Sequence, residues 1–288
     1  MPPMHLPDPT LHASKAQKPG LLARQSAHWA EVWRNRRLLI DLSAREVRSR
    51  YRASALGLGW TIANPLLMLA VFSFVFGAVF GLRWPQAQAH PLAFALNLLC
   101  GMAVFALLFE TVARAAEAIS GNANYVKRVI FPLGILPLMQ IGSALFHVGI
   151  QVALLLLAAA FVFGPSAAWL SLPLVWGAYV LGVAGVCWVV AAIGVYLRDV
   201  AQVIPVVLTA LQFLSPVFYP ISALPAAFRP WVQVLPTTWV IEQTRGIVTL
   251  GAWPAAGELA LAWGIAGVLA ALGLAFFHKL RAGFADVL

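Results

Sequence analysis

The sequence predicts an all-α membrane protein, and three observations carry that prediction. Hydrophobic residues make up 61% of the chain and charged residues 10%, against about 25% charged in a soluble globular domain. Mean hydropathy is +0.85. Charge-free intervals run from Arg52 to Arg83, Arg83 to Glu110, Arg128 to Arg198, Asp199 to Arg229 and Glu258 to Lys279. Each has room for the roughly 20 apolar residues that carry a helix across a bilayer. A helix is the form expected of them, because it satisfies its backbone polar groups within the segment.

Residues 1–26 begin with Pro, His and polar residues and hold no apolar core, so a disordered cytoplasmic tail is expected there rather than a secretory signal. Residues 27–58 read as an interfacial amphipathic helix and the approach to the first span, with Trp29, Val32, Trp33, Leu39, Ile40 and Val47 set among seven arginines. Such a helix lies in the headgroup plane; a soluble cytoplasmic helix is the other reading of the pattern. Residues 59–288 then form a six-span domain with no room for a second sizeable one. Spans are expected at about 59–82, 92–113, 134–163, 173–197, 200–219 and 258–278. The third charge-free interval holds two of them, because Gly164, Pro165 and Pro173 supply a break.

Between the last two spans, residues 215–236 pack Pro216, Pro220, Pro225, Pro230 and Pro236 among aromatics. Proline at that density breaks a continuous helix. Re-entrant helices dipping into the outer leaflet fit so apolar a segment if protein buries their broken backbone; a hydrophobic surface loop is the alternative. Orientation follows from the basic residues. With a cytoplasmic N-terminus, inside segments collect 16 Lys and Arg, ten before residue 53 plus Arg114, Lys127, Arg128, Arg198, Lys279 and Arg281, while outside segments hold Arg83, Arg229 and Arg245. By the positive-inside rule both termini face the cytoplasm.

The net charge of +9 is concentrated on the N-terminal flank, which points to anionic lipid rather than nucleic acid. No GxxxxGK[ST] phosphate loop and no HExxH, CxxC or GxSxG pattern occurs, so nucleotide hydrolysis by a phosphate loop, metalloprotease, thiol and esterase chemistry are all disfavoured. Cys100 and Cys187 lie in apolar stretches and read as packing residues. No carboxylate falls at mid-membrane, which weakens a proton- or sodium-coupled transporter. Glu110, Arg114 and Glu117 are spaced for an ion-pair ladder on one helix face, with a substrate contact as the alternative. Arg198 and Asp199 close the turn between spans 4 and 5, and Glu242 can pair with Arg245. Residues 120–132 (SGNANYVKRVIFP) can dock a partner or simply connect two spans.

Aromatic faces stack on the apolar C–H surface of sugars and so suit a glycan that must slide without tight binding. Phe72, Phe74, Phe76 and Phe80 in span 1, with Phe213, Phe218 and Tyr219 at the end of span 5, are candidates to line such a canal. Lipid-facing or packed phenylalanines and interfacial anchors are the competing reading.

The order of motifs carries a resemblance. Arg50-Tyr51-Arg52-Ala53-Ser54-Ala55-Leu56-Gly57, with Trp60 and Asn64-Pro65, resembles the start of the first span in permease subunits of type-2 ABC exporters, especially the branch exporting O-antigen, capsule and teichoic acid. Asn124-Tyr125-Val126-Lys127-Arg128-Val129-Ile130-Phe131-Pro132, Tyr196-Leu197-Arg198-Asp199-Val200 and Ser215-Pro216-Val217-Phe218-Tyr219-Pro220 follow in the same order over residues 30–285. Pro236-Thr237-Thr238 departs from the Asn-Pro frequent in that branch. The resemblance implies a homodimer bound to two copies of a separate ATPase that holds ATP and Mg, so that this chain binds no cofactor itself. Asn122, Asn124, Tyr125, Lys127 and Arg128 would belong to the coupling segment, and spans 1 and 5 would line the canal. The substrate would be a lipid-linked polysaccharide, with membrane lipids around the chain and periplasmic export proteins as possible partners. Arg48, Arg50 and Arg52 would stand at the inner mouth, either to orient the anionic headgroup or to hold the helix to anionic lipid. An exporter of teichoic acid, lipid or drug, a membrane-embedded glycosyl- or acyl-transferase and a passive pore remain as alternatives.

Overall fold

The structure is a computed structural model that describes residues 29–52, 54, 56–81, 84, 92–126 and 131–288. The tail expected at 1–26, Arg83, Lys127 and Arg128 lie outside these residues. Among the described residues the chain is helical, with no strand. Five helices among these residues are long and apolar enough to cross a bilayer: Gly57–Val79, Ala93–Ala115, Ile135–Phe163, Ala167–Tyr196 and Ala256–Arg281.

Residues 29–34 are helical, and after a break at Asn35 the helix α1 runs Arg36–Tyr51. It turns Leu42, Ser43 and Val47 inward and leaves Ile40 exposed, as is Trp33 in the stretch ahead of it. α2 (Trp60–Phe72) continues through a π-helical stretch, Ser73–Val79. α3 (Ala93–Ala115) is followed by a 3-10 turn and the short α4 (Ala123–Val126). α5 (Ile135–Phe163) stops ahead of Gly164 and Pro165, and a 3-10 turn at Ala167–Ser171 leads into α6 (Leu172–Tyr196).

α7 (Val200–Leu214) is shorter than the span expected at 200–219. Its 15 residues reach roughly 22 Å at 1.5 Å per residue, short of the roughly 30 Å of hydrocarbon. The helix ends where Ser215, extended at φ −78° and ψ 151°, precedes Pro216, whose ring disfavours helical backbone in the residue before it. Within 215–236 the chain makes a 3-10 turn at Ile221–Ala223 and the five-residue α8 (Arg229–Gln233). α9 (Pro236–Leu250) has no counterpart among the expected spans. Pro236 starts it at a position where a missing N–H costs nothing, and buried Thr237, Thr238, Thr244 and Arg245 keep its composition too polar to read as a span. α10 (Ala256–Arg281) and the short α11 (Phe284–Val287) complete the chain.

The core sits on α3 and α6, whose most apolar windows are 67% buried, against 6% for α2 and 22% for α5 and α10. The polar tips of the large core aromatics are engaged inside it: Tyr179 donates to the Val104 carbonyl at 3.0 Å and Trp188 to the Gly134 carbonyl at 3.0 Å. α6 and α10 cross on Gly185 and Gly273, where a Cβ on either would strike the opposite backbone. Without a hydrophobic drive between helices in lipid, such close backbone approach supplies the packing.

Candidate functional site

Phe72, Phe76 and Phe80 recur every four residues and so share one side of the helix. Phe218 reaches them from the turn after α7. Its ring lies 4.8 Å from Phe72 and 4.9 Å from Phe76, stacked on the latter within 15°. Phe76 and Phe80 are 5.9 Å apart, and Phe213 and Phe218 5.3 Å. Phe218 is buried while Phe80 and Phe213 are exposed, so the cluster has an anchored centre and an open rim. Tyr219 folds its hydroxyl back to the carbonyls of Phe213 and Leu214 at 3.0 and 2.9 Å. The π-helical stretch of span 1 carries Phe74 and Phe76, and such stretches are frequent at functional sites. Six of the seven candidate aromatics are thus neighbours, drawn from two segments about 140 residues apart, while Phe74 is exposed outside the cluster.

A buried arginine holds the turn in place. Arg245 is 3% exposed and donates from Nε to the Asn97 carbonyl at 3.0 Å, from Nη2 to the Val217 carbonyl at 3.0 Å and from Nη1 to Glu242 at 2.8 Å. Its guanidinium also lies 4.8 Å from the Trp84 ring centroid, a cation–π contact. Burial pulls its pKa down and the Glu242 carboxylate pulls it back; a guanidinium stays protonated near neutrality throughout. Val217 is therefore tied to α3 and α9, and Phe218 with it.

At the opposite end of α3 a second cluster ties α1 to the spans. Arg50 donates from Nη2 to Glu110 Oε1 at 2.5 Å, and His147 Nδ1 lies 2.8 Å from that oxygen and 3.0 Å from Arg50 Nη1. One ring nitrogen cannot accept from the guanidinium and donate to the carboxylate at once, so the proton position on His147 decides which of its two bonds exists. His147 Nε2 is buried with no hydrogen-bond partner among the described residues. One turn along, Arg114 donates to Glu46 at 2.8 Å. Ser43 Oγ donates to the Met139 carbonyl at 3.3 Å, in a contact so close that a Cβ on Gly142 would collide with Ser43. The side chains of Glu110 and Arg114 therefore reach across to α1 instead of forming the ladder expected within one helix face. Glu117 is exposed.

Of the three arginines read as flanking the inner mouth, Arg50 sits in this clamp, whereas Arg48 and Arg52 are exposed. In the segment expected to couple to an ATPase, Tyr125 stacks on Phe131 at 4.4 Å and accepts from Arg45 at 3.2 Å. Asn122 donates to the Ala118 carbonyl at 3.0 Å, and Asn124 is exposed. The turn that would meet a partner is thereby joined to α1, and α1 through the clamp to α3 and α5.

Sequence reasoning passed over Glu46 and His147 as partners in this clamp. A histidine alone in the 69 residues between Arg128 and Arg198 was the available signal, since a titratable group inside a span calls for a partner. No group of three or more His, Cys, Asp or Glu is arranged to hold a metal among the described residues, and Cys100 and Cys187 are buried free thiols.

These features define an integral membrane domain with an aromatic cluster on one side and a polar clamp tying an amphipathic helix to the spans. The chain belongs to the ABC-2 type transporter family, whose pattern it matches over residues 37–249. It is 23% identical over 254 residues to the O-antigen export system permease protein RfbA of Klebsiella pneumoniae, covering 87% of this chain and 95% of that one. A protein of the same name from Myxococcus xanthus is 29% identical over 196 residues, 67% of this chain and 72% of its own. The polysialic acid transport protein KpsM of Escherichia coli is 25% identical over 211 residues, 73% and 80% of the two chains.

Proposed function

We propose that this chain is the transmembrane permease subunit of an exporter that moves a lipid-linked polysaccharide, of O-antigen or capsule type, across the bacterial inner membrane, with ATP hydrolysed by a separate subunit. The observation that carries this reading is the similarity to glycan-transport permeases over 73–87% of the chain. In this reading the chain performs no chemistry: ATP and Mg belong to the partner.

The aromatic cluster suits the cargo. Phe72, Phe76, Phe80, Phe213, Phe218 and Tyr219 offer faces on which successive sugars slide. α2 is the least buried of the apolar helices, and α7 has only Leu208 buried. A second copy set against these two elements would close the groove into a canal between protomers. Six crossings follow if α7 and the turn after it together complete the fifth, with residues 215–236 re-entrant and both termini cytoplasmic. Arg48 and Arg52 then flank the inner mouth, where an anionic headgroup would be oriented by charge-assisted contacts.

Coupling would run through Asn122, Asn124, Tyr125, Lys127 and Arg128. A pull on this turn reaches α1 by way of Tyr125 and Arg45, and reaches α3 and α5 by way of Glu46 with Arg114 and Arg50 with Glu110 and His147. The partner shifts the equilibrium only by binding one arrangement of these elements better than the other. Deleting the gene in its host should leave the lipid-linked glycan inside the cell, and restoring the chain with its ATPase should return it to the surface. Turnover of a lipid-linked sugar by the purified chain alone, with no ATPase present, would instead favour the membrane-embedded transferase.

A further inference from the structure

A cavity of about 470 Å³ lies between α3, α6, α7, α9 and α10 and shares no residue with the aromatic cluster or the clamp. Its wall is hydrocarbon, from Leu108, Val183, Leu208 and Leu269 among others. The hydroxyls that border it are engaged elsewhere, Tyr179 on the Val104 carbonyl and Thr237 with Ser215 at 3.0 Å. Away from Gln233 and Glu258, a polar solute would find nothing there to bond.

One border of the cavity carries a carboxylate. Glu258 stands in the first turn of α10, at an end of an apolar helix and therefore near the boundary between hydrocarbon and water. Trp239 Nε1 and Gln243 Nε2 both donate to its Oε2, at 3.2 and 2.8 Å. No Lys or Arg pairs with it among the described residues, whereas Glu46, Glu110 and Glu242 each have an arginine. The N-terminus of α10 eases this charge without neutralising it.

We propose that the cavity holds an acyl chain of a zwitterionic phospholipid whose ethanolamine ammonium docks on Glu258. The hydrocarbon wall selects the chain by area removed from water. The carboxylate selects the head: a primary ammonium brings opposite charge and hydrogen-bond donors, choline brings charge without donors, and a phosphatidylglycerol head brings like charge.

The full-length chain, purified in mild detergent and exchanged against vesicles of equal parts phosphatidylethanolamine, phosphatidylcholine and phosphatidylglycerol, tests this by native mass spectrometry of the retained lipid. The ethanolamine lipid should be retained about threefold over each of the others, the scale of one exposed charge contact. Glu258→Gln should erase the headgroup preference and keep lipid bound. Gly182→Leu, built at a position with ordinary contacts to Ala266 and Leu269, should fill the space and lower retention of all three. In the unaltered chain the preference should also shrink with added salt, which screens the head and not the chain. Equal retention of the three lipids, a preference that survives Glu258→Gln or high salt, or a second copy or peptide in the cavity in place of lipid would overturn the proposal. The assay contains neither ATPase nor glycan, so its failure leaves the export reading untouched.

Discussion

Glu110 is the carboxylate on which the clamp depends, because Arg50 and His147 both turn to the same oxygen. Removing it strands a cation and a buried imidazole. Glu110→Ala should therefore destabilise the purified chain by about 2 kcal/mol, below the 3–5 of a fully buried pair, since Arg50 keeps 26% of its side-chain surface. Glu110→Gln retains an acceptor and should lose less. Thermal unfolding in detergent checks both, and equal losses would mean that the carboxylate's charge is irrelevant. Among the aromatics, Phe72, Phe76 and Phe213 should respond to tryptophan substitution with a larger change in export than Trp29→Phe, because they belong to the aromatic cluster proposed to line the canal while Trp29 makes an edge contact with Trp188 at 5.7 Å. Negligible effects at all four sites would remove the aromatic canal.

The helices with long charge-free runs were legible because a charge at mid-bilayer costs at least about 2.5 kcal/mol, so sequence alone places the stretches that became α2, α3, α5, α6 and α10. α9 was not, because Thr237, Thr238, Thr244 and Arg245 are buried against protein rather than lipid, and hydropathy cannot tell those surroundings apart. The aromatic candidates came from composition, but Phe218 meeting Phe76 is a contact across 142 residues that no helical period reaches. The clamp was misread for the same reason: Glu110 and Arg114 fit a rule for neighbours on one helix, while their partners sit on α1. Glu46→Arg should weaken the attachment of α1, and Arg114→Glu in the same chain should restore it. The coupling energy should be about 0.5–1 kcal/mol, given that both side chains are about a third exposed. A cycle that closes at zero would leave Ser43 and the apolar contacts as the attachment. Gly273→Leu should do more harm than either, because its side chain has to displace the Gly185 backbone where α6 and α10 cross; overpacking costs about 1–3 kcal/mol, seen as lost folded yield.

The geometry of the proposed homodimer turns on which exposed apolar surface a second copy would cover in place of lipid. α2 and α10 both show aliphatic side chains, Val71 on the first and Val268 on the second, so exposure alone does not choose between them. The aromatic cluster does. Its rim opens beside α2, and sugars need a path walled on both sides, since lipid tails offer a glycan no polar contact. α2 should therefore face its equivalent in a second copy, and α10 should face lipid. The native thiols leave little background for a cysteine test, because Cys100 and Cys187 are both fully buried. Val71→Cys in native membranes should be joined to its partner by a short thiol crosslinker, and Val268→Cys should not. The same membranes carrying Asn124→Cys should react with an impermeant thiol reagent only from the cytoplasmic face, and only until the ATPase binds. Crosslinking at residue 268 and not at 71 would put the α10 faces together, leave the groove open to lipid, and with it remove the canal.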